Sequence, residues 1–519
     1  MLITFSMKLF FCTDSYAGPV IATMLITMIS AGSLSGNSEQ LSLDEALRHA
    51  LEHNTLLSIQ DEATGIAKQE FIVQDAAFDP IFSITSGIAE NKNPIASSVL
   101  TGAERLTKEN QDYRIGVDKQ LKGLGTNVTL ESTLERSKTN SSNATLNPET
   151  TSSVGILVSQ PLLEGRGKIN LAPLARARVR SRQAYLRLQE EILNTTEQTV
   201  NRYWLYAFSK AQLENQRSQL QFVTELVEET EHRVQFGLAT SAELFSAQAE
   251  QALEQEQTLN RRQNTSDALD SLRKVIGKLD EDSLQEEVDT TELPERDYQI
   301  PDLYEIVDKA LAFSRVRREQ LEELKLAEID SVVARNAKLP DLRLNASGAY
   351  LGRDESVYDS FNNTSQREAY RWGASIELII PWQQRADHAK YRIAQKRRKQ
   401  AEIALRDVKE NIILDVRRAW RELNTSMANF KTAQKVLRFS RRAHEREQAR
   451  YSEGLATFRA TLDTLRDLDN ARTRALQSQL RLVQAETRLD RLTGELLDRH
   501  GYTWQTLEAD LPPDERWLR

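Results

Sequence analysis

The sequence predicts a mainly α fold with β, built as a tandem duplication of long α-helical hairpins, each preceded by β-strands. Three observations carry this. A heptad-patterned stretch interrupted at Gly237-Leu238-Ala239-Thr240 is matched by a second interrupted at Gly454-Leu455-Ala456-Thr457, and such self-similarity is the signature of a repeat. Within both arms apolar residues recur every seven positions, the spacing of helices packed side by side. Ahead of each arm the period switches to two, as in strands with one apolar face.

Taken in order, the chain opens with Lys8, an apolar run from Ala17 to Ala31, and a Gly, Ser and Asn stretch ending at Asn37. This predicts a signal peptide over 1–36 rather than an anchor, because about 15 apolar residues fall short of the ~20 that span a bilayer. Cys12, the sole cysteine, falls inside it, which excludes disulfides and cysteine metal sites from the exported chain. Over 37–79 two helices are expected, the first opened by Ser42 with Glu45 three residues on, a capping box. The pair recurs over 301–339, from Asp302 and again from Arg315. His49 and His53 stand i, i+4 on the first helix with no third metal ligand evident nearby, so they read as a solvated face and no metal or cofactor is expected.

Strands are predicted over 80–163 and 340–381. Phe82, Ile84 and Ile88, then Tyr113, Ile115 and Val117, then Val128, Leu130 and Leu134 alternate with polar or small residues, and Val154, Ile156 and Val158 alternate with Gly155, Leu157 and Ser159. The second half repeats this with Leu342, Leu344 and Ala346 and with Tyr370, Trp372, Ala374, Ile376 and Leu378. Ribbons of about ten residues, apolar on one side and carrying aromatics near an end, match the lipid-facing pattern of membrane β-barrels. Tyr370, Trp372, Ile376 and Leu378 are the candidate lipid face. Polar stretches at 91–111, 138–151 and 352–369 read as extracellular loops. A half-buried soluble sheet would show the same alternation, but small separate hairpins are not stable alone.

The chain returns to helix at Pro161 and Pro381, where a missing N–H ends strand pairing. Long hairpins are expected over 164–279 and 382–500. Lys168 to Phe236 would extend roughly 100 Å at 1.5 Å per residue. Gly237 and Gly454 suit the left-handed turn that ends one helix, and Thr240 and Thr457 suit the cap of the next. An acidic linker covers 280–300 and a tail 501–519.

Charged residues make up 28% of the chain, as in long solvated helices, and the net charge of −8 argues against nucleic acid as a partner. The basic run Lys396 to Lys399 lies on a predicted helix and reads as a solvated face. There is no phosphate-binding glycine loop, HExxH or GxSxG, so an enzyme is disfavoured. A soluble coiled-coil scaffold is the alternative, and it explains the helices alone.

The segments LSLDEALRHALEHN, QPLLEGRG, RVQFGLATSAELFSAQAE and RYSEGLATFRATLD resemble the TolC-type outer-membrane efflux protein family, in order and spacing along nearly the whole exported chain. The resemblance implies a homotrimer in the outer membrane of a Gram-negative-type bacterium, whose β-barrel continues as a periplasmic α-helical barrel. It implies an exit duct coupled through a periplasmic adaptor to an inner-membrane pump. It places adaptor docking at Gly237, Leu238, Thr240, Gly454, Leu455 and Thr457, and the pore constriction near Glu243 and Asp463. Arg459 is close enough in sequence to pair with Glu243 as a gate. Two departures stand out. Ala460 replaces a ring aspartate, and the hairpin 113–136 adds two strand candidates to the family's usual two per half.

Overall fold

The computed structural model describes residues 40–94, 105–237, 239–279, 289–290 and 300–502. The expected leader, most of the linker, the tail beyond 502 and Leu238 lie outside them. The chain opens with β1 (Gln40–Leu41), then α1 (Leu43–His53) and α2 (Thr55–Ala76). Ser42 and Glu45 form the expected capping box, and Asn54 both ends α1 and caps α2. Four strands follow: β2 (Ile81–Pro94), β3 (Arg105–Gln120), β4 (Asn127–Thr139) and β5 (Glu149–Pro161). A short 3-10 turn leads into α3 (Ala172–Gln235), which reverses into α4 (Ser241–Ile276). β6 (Asp289–Thr290) pairs in parallel with β1.

The second half repeats the layout with α5 (Leu303–Phe313), α6 (Arg315–Asn336), β7 (Asp341–Asp354), α7 (Val357–Gln366), β8 (Ala369–Ile379), α8 (Arg385–Ser452) and α9 (Phe458–Thr493). At 64 and 68 residues, α3 and α8 are rods of about 100 Å. Their partners α4 and α9 have only 36 residues each, so the arms are unequal hairpins rather than matched ones.

The missing length is supplied by other helices. α4 stops at Gly277, whose φ of 71° is the left-handed turn of a helix end. Asn54 Nδ2 donates to the Val275 carbonyl at 2.8 Å, so α2 starts where α4 stops and continues its path along α3. An added Cβ at Gly277 would overlap the His53 carbonyl. The second half is built alike. α9 stops at Gly494, φ 86°, against Phe313, and α6 carries on from there. The result is a layer four helices wide in two tiers, α2-α3-α6-α8 above and α4-α3-α9-α8 below.

The small helices α1 and α5 clamp these joints. Ala46, Leu47 and Ala50 bury against Val200, Tyr203 and Ala207 of α3 and Leu272 and Ile276 of α4, while Tyr203 OH donates to the Leu41 carbonyl at 2.9 Å. In the other half Ile306 and Ala310 pack on Val416, Ala419 and Leu423 of α8 and on Leu482, Ala485 and Leu489 of α9. Each buried leucine contributes about 1.5–3 kcal/mol. The heptad rows are therefore the seams between neighbouring helices.

The six long strands form one antiparallel sheet in the order β2-β3-β4-β5-β7-β8. The hairpin 113–136 is thus part of the sheet rather than a flap. β2 and β3 run further than the alternation suggested, to Pro94 and from Arg105, through residues that are mostly polar on both faces. The ladder continues there although the hydrophobic pattern has ended.

Candidate functional site

The register decides which residues share a wall. Phe82 pairs with Val117, Val117 with Leu130, Leu130 with Ile156, Ile156 with Gly348 and Gly348 with Trp372. Cross-strand partners point to the same side, so the apolar sets of all six strands lie on one face. The opposite face carries Arg114, Glu131, Arg343, Asn345, Arg371 and Glu377, with Arg114 and Glu131 paired at 3.3 Å. Tyr370, Trp372, Ile376 and Leu378 all stand on the apolar face and all are exposed, Trp372 at 74%. From Leu342 to Tyr350 this face runs about 26 Å along β7 at ~3.3 Å per residue, close to the ~25 Å apolar band of an outer-membrane barrel.

The edges of sheet and layer coincide. β2 follows α2 at one flank and β8 leads into α8 at the other, and among the described residues each of these strands is paired on one side only. The flanks are apolar as well. Leu56, Ile59 and Ile66 are exposed on α2, and Ile393, Ile403 and Phe439 on α8.

At the far end the two hairpins meet. Leu226, Val227 and Ala247 of the first pack with Tyr451, Phe458 and Leu462 of the second, and the Arg233 guanidinium lies 4.9 Å from the Tyr451 ring centre. Gly237 and Gly454 are left-handed, φ 74° and 75°. In the second tip the Leu455 amide donates to Arg450 and the Gly454 amide to Tyr451, which satisfies the last carbonyls of α8. Thr240 accepts from the Glu243 amide and Thr457 from the Ala460 amide. Phe236, Phe245 and Leu455 are exposed at this end. The two phenylalanines were missed in the sequence, where only their places beside the Gly-Leu-Ala-Thr turn could have marked them.

Of the proposed gate residues, Glu243 has its carboxylate on the Thr240 amide at 3.1 Å, closing a capping box. Among the described residues no ion pair joins it to Arg459. The bridge between the hairpins lies two turns deeper, where Arg466 of α9 donates through Nε to Glu250 of α4 at 3.0 Å. Glu250 is buried, and Asp463 lies beside Arg466. Further in, Glu254 accepts from Gln216 and from Gln219, the latter at 2.8 Å. Burial pushes the Glu254 carboxyl above its usual range, against those two hydrogen bonds, and burial likewise raises Asp469.

His49 and His53 do have a third donor close by. Glu52 joins them, with one ligand atom from each of the three lying within 4.8 Å of the others. Its i+3 position on the same helix was legible in the spacing. Burial and the nearby Lys278 hold His49 below its usual pKa, and that lysine would oppose a bound cation.

Residues 112–278 and 307–495 match the model of the outer membrane efflux protein family, well over half the chain. The chain belongs to the outer membrane efflux protein family. Its fold is that of solved outer-membrane channels. The CmeC channel of Campylobacter jejuni aligns at TM-score 0.67 and 14% identity over 90% of both chains. OprN aligns at 0.66 and 16% over 87% of this chain and 90% of its own. VceC of Vibrio cholerae aligns at 0.64 and 15% over 87% and 96%. No curated protein matches the sequence. Members of the family are passive channels, so this efflux protein is an outer-membrane duct and not an enzyme.

Proposed function

We propose that three copies of this efflux protein close into a single tube, the exit duct of a tripartite efflux or type I secretion system, fed by an inner-membrane pump through a periplasmic adaptor. The observation that carries this is the coincidence of free edges. A sheet with β2 and β8 unpaired on one side, continued by helical flanks with exposed apolar residues, is completed by a head-to-tail copy, and such contacts form rings when the rotation closes. The apolar face then meets outer-membrane lipid and the charged face lines the bore. With six strands per copy, a trimer has eighteen, a wider barrel than four per copy would give.

The helical tips are the periplasmic entrance. Gly237, Leu238, Thr240, Gly454, Leu455 and Thr457 form the adaptor surface, to which Phe236 and Phe245 add exposed aromatic area, the residue type that anchors interfaces. Glu243, Arg459 and Asp463 stand near the constriction. A photo-crosslinking residue at Leu455 tests the docking in cells. Capture of a periplasmic adaptor is expected, and capture of nothing but neighbouring copies contradicts it. For the constriction, Arg459→Ala is expected to raise single-channel conductance in planar bilayers, and unchanged conductance removes Arg459 from the gate.

A further inference from the structure

The segment joining β7 to β8 is not a free extracellular loop. Helix α7 lies against the outside of the sheet, on the face that carries the apolar wall. Gly352 and Ser152 are register partners one step above Tyr350 and Val154, and a Cβ at Gly352 would run into Ser360 and Thr364 of α7. Ser152 Oγ lies 2.6 Å from Thr364 Oγ1 and accepts from Ser360 Oγ at 2.8 Å, while Thr150 Oγ1 donates to the Glu355 carbonyl at 3.1 Å. All four hydroxyl side chains are buried. The wall therefore changes from Val154, Ile156 and Tyr350 to Thr150, Ser152 and Gly352 where the helix covers it.

What α7 presents outward is apolar in part. Val357, Tyr358 and Phe361 are exposed, Tyr358 at 80%. The helix ends at Arg367, whose guanidinium stands 5.6 Å from the Tyr350 ring centre, and Arg136 pairs in register with Thr150 on the same face. Immediately below lie Tyr350, Tyr370 and Trp372. Aromatic rings over an apolar wall, with cations beside them, are the composition of a membrane boundary, where rings sit at headgroup level and cations meet lipid phosphates.

We propose that α7 is an interfacial anchor, a helix fastened to the outer wall that lies in the headgroup layer of the outer leaflet and binds anionic lipid through Arg367 and Arg136. This rests on the barrel reading above. The occupant is lipid because the helix continues the apolar wall, and because it sits on β5 and β7 rather than on either free edge.

The test uses the full protein, with any retained Cys12 replaced by serine, in vesicles of phosphatidylethanolamine and phosphatidylglycerol. A spin label at Tyr358→Cys is read for collision with oxygen, which partitions into lipid, and with a nickel chelate, which stays in water. A label at Ile376→Cys serves as the wall reference. The expected result is an oxygen-to-nickel ratio at 358 several-fold above that of a label at Glu355→Cys, and below that at 376. A lipid signal at 376 with water-like exposure at 358 overturns the anchor and leaves the barrel intact. Exposure to water at both positions overturns the barrel reading itself. Shielding of 358 from both reagents means that protein covers α7, which also overturns the anchor.

Discussion

Arg466 and Glu250 are the side chains on which the join between the two hairpins turns most sharply. Glu250 is 8% exposed and takes the guanidinium of Arg466 across the seam. Removing one partner of a buried pair leaves the other charge desolvated, a cost of about 3–5 kcal/mol at full burial. Because Arg466 is half-exposed, Arg466→Ala is expected at the low end, about 3 kcal/mol, with much of it recovered in the double variant Arg466→Ala, Glu250→Ala by denaturant titration. Glu254 works in the opposite sense. Its pKa is raised above 4.5 by burial, so the folded state binds the extra proton. Its contribution is complete below about pH 4.5 and is lost as pH rises through the folded pKa. Glu254→Gln therefore raises the melting temperature at pH 7 and leaves it nearly unchanged at pH 4, as followed by circular dichroism. None of the three was identifiable from the sequence, because a charged side chain on a polar helix reads as a solvated face, and only the packing of α3, α4 and α9 gives them partners.

At the level of elements, helix ends were legible and helix neighbours were not. Gly237, Gly454, Thr240 and Thr457 act through local backbone geometry, which a four-residue string specifies. The end-to-end joining of α4 with α2, and of α9 with α6, depends on contacts such as Asn54 with Val275 that no periodicity encodes. The joint makes a clear prediction about glycine. At Gly237 nothing lies near an added Cβ, so Gly237→Ala costs only the left-handed backbone strain, about 1 kcal/mol. At Gly494 the new Cβ would overlap the Phe313 ring, so Gly494→Ala adds a clash and is expected to cost about 2–4 kcal/mol in the same titration. The strands were legible through their alternation, and the continuous register turns that into a test of which face meets lipid. Ile376→Lys is expected to destabilise the barrel in vesicles by about 2–4 kcal/mol, whereas Ser375→Lys, on the opposite face, changes it little. α7 was readable in principle from Ser356 with Asp359 three residues on, the pair that caps it, but it lay inside a polar stretch that suited a loop equally well.

For the whole molecule, the duplication explains why one chain supplies both the wall and the tube. Each half delivers strands at one end and a helical hairpin at the other, and the two halves pack side by side with their tips together. Among the described residues the same arrangement leaves β2 and β8 at the ends of the sheet, the edges that further copies cover in the proposed ring. The most direct measurement is the electron cryo-microscopy structure of the purified particle in lipid nanodiscs. A three-fold ring is expected, with β8 of each copy hydrogen-bonded to β2 of the next, eighteen strands around the bore and the face of Trp372 and Ile376 turned to lipid. A monomer whose own β2 and β8 pair with each other, or a particle whose apolar sheet face is buried in protein, would contradict it.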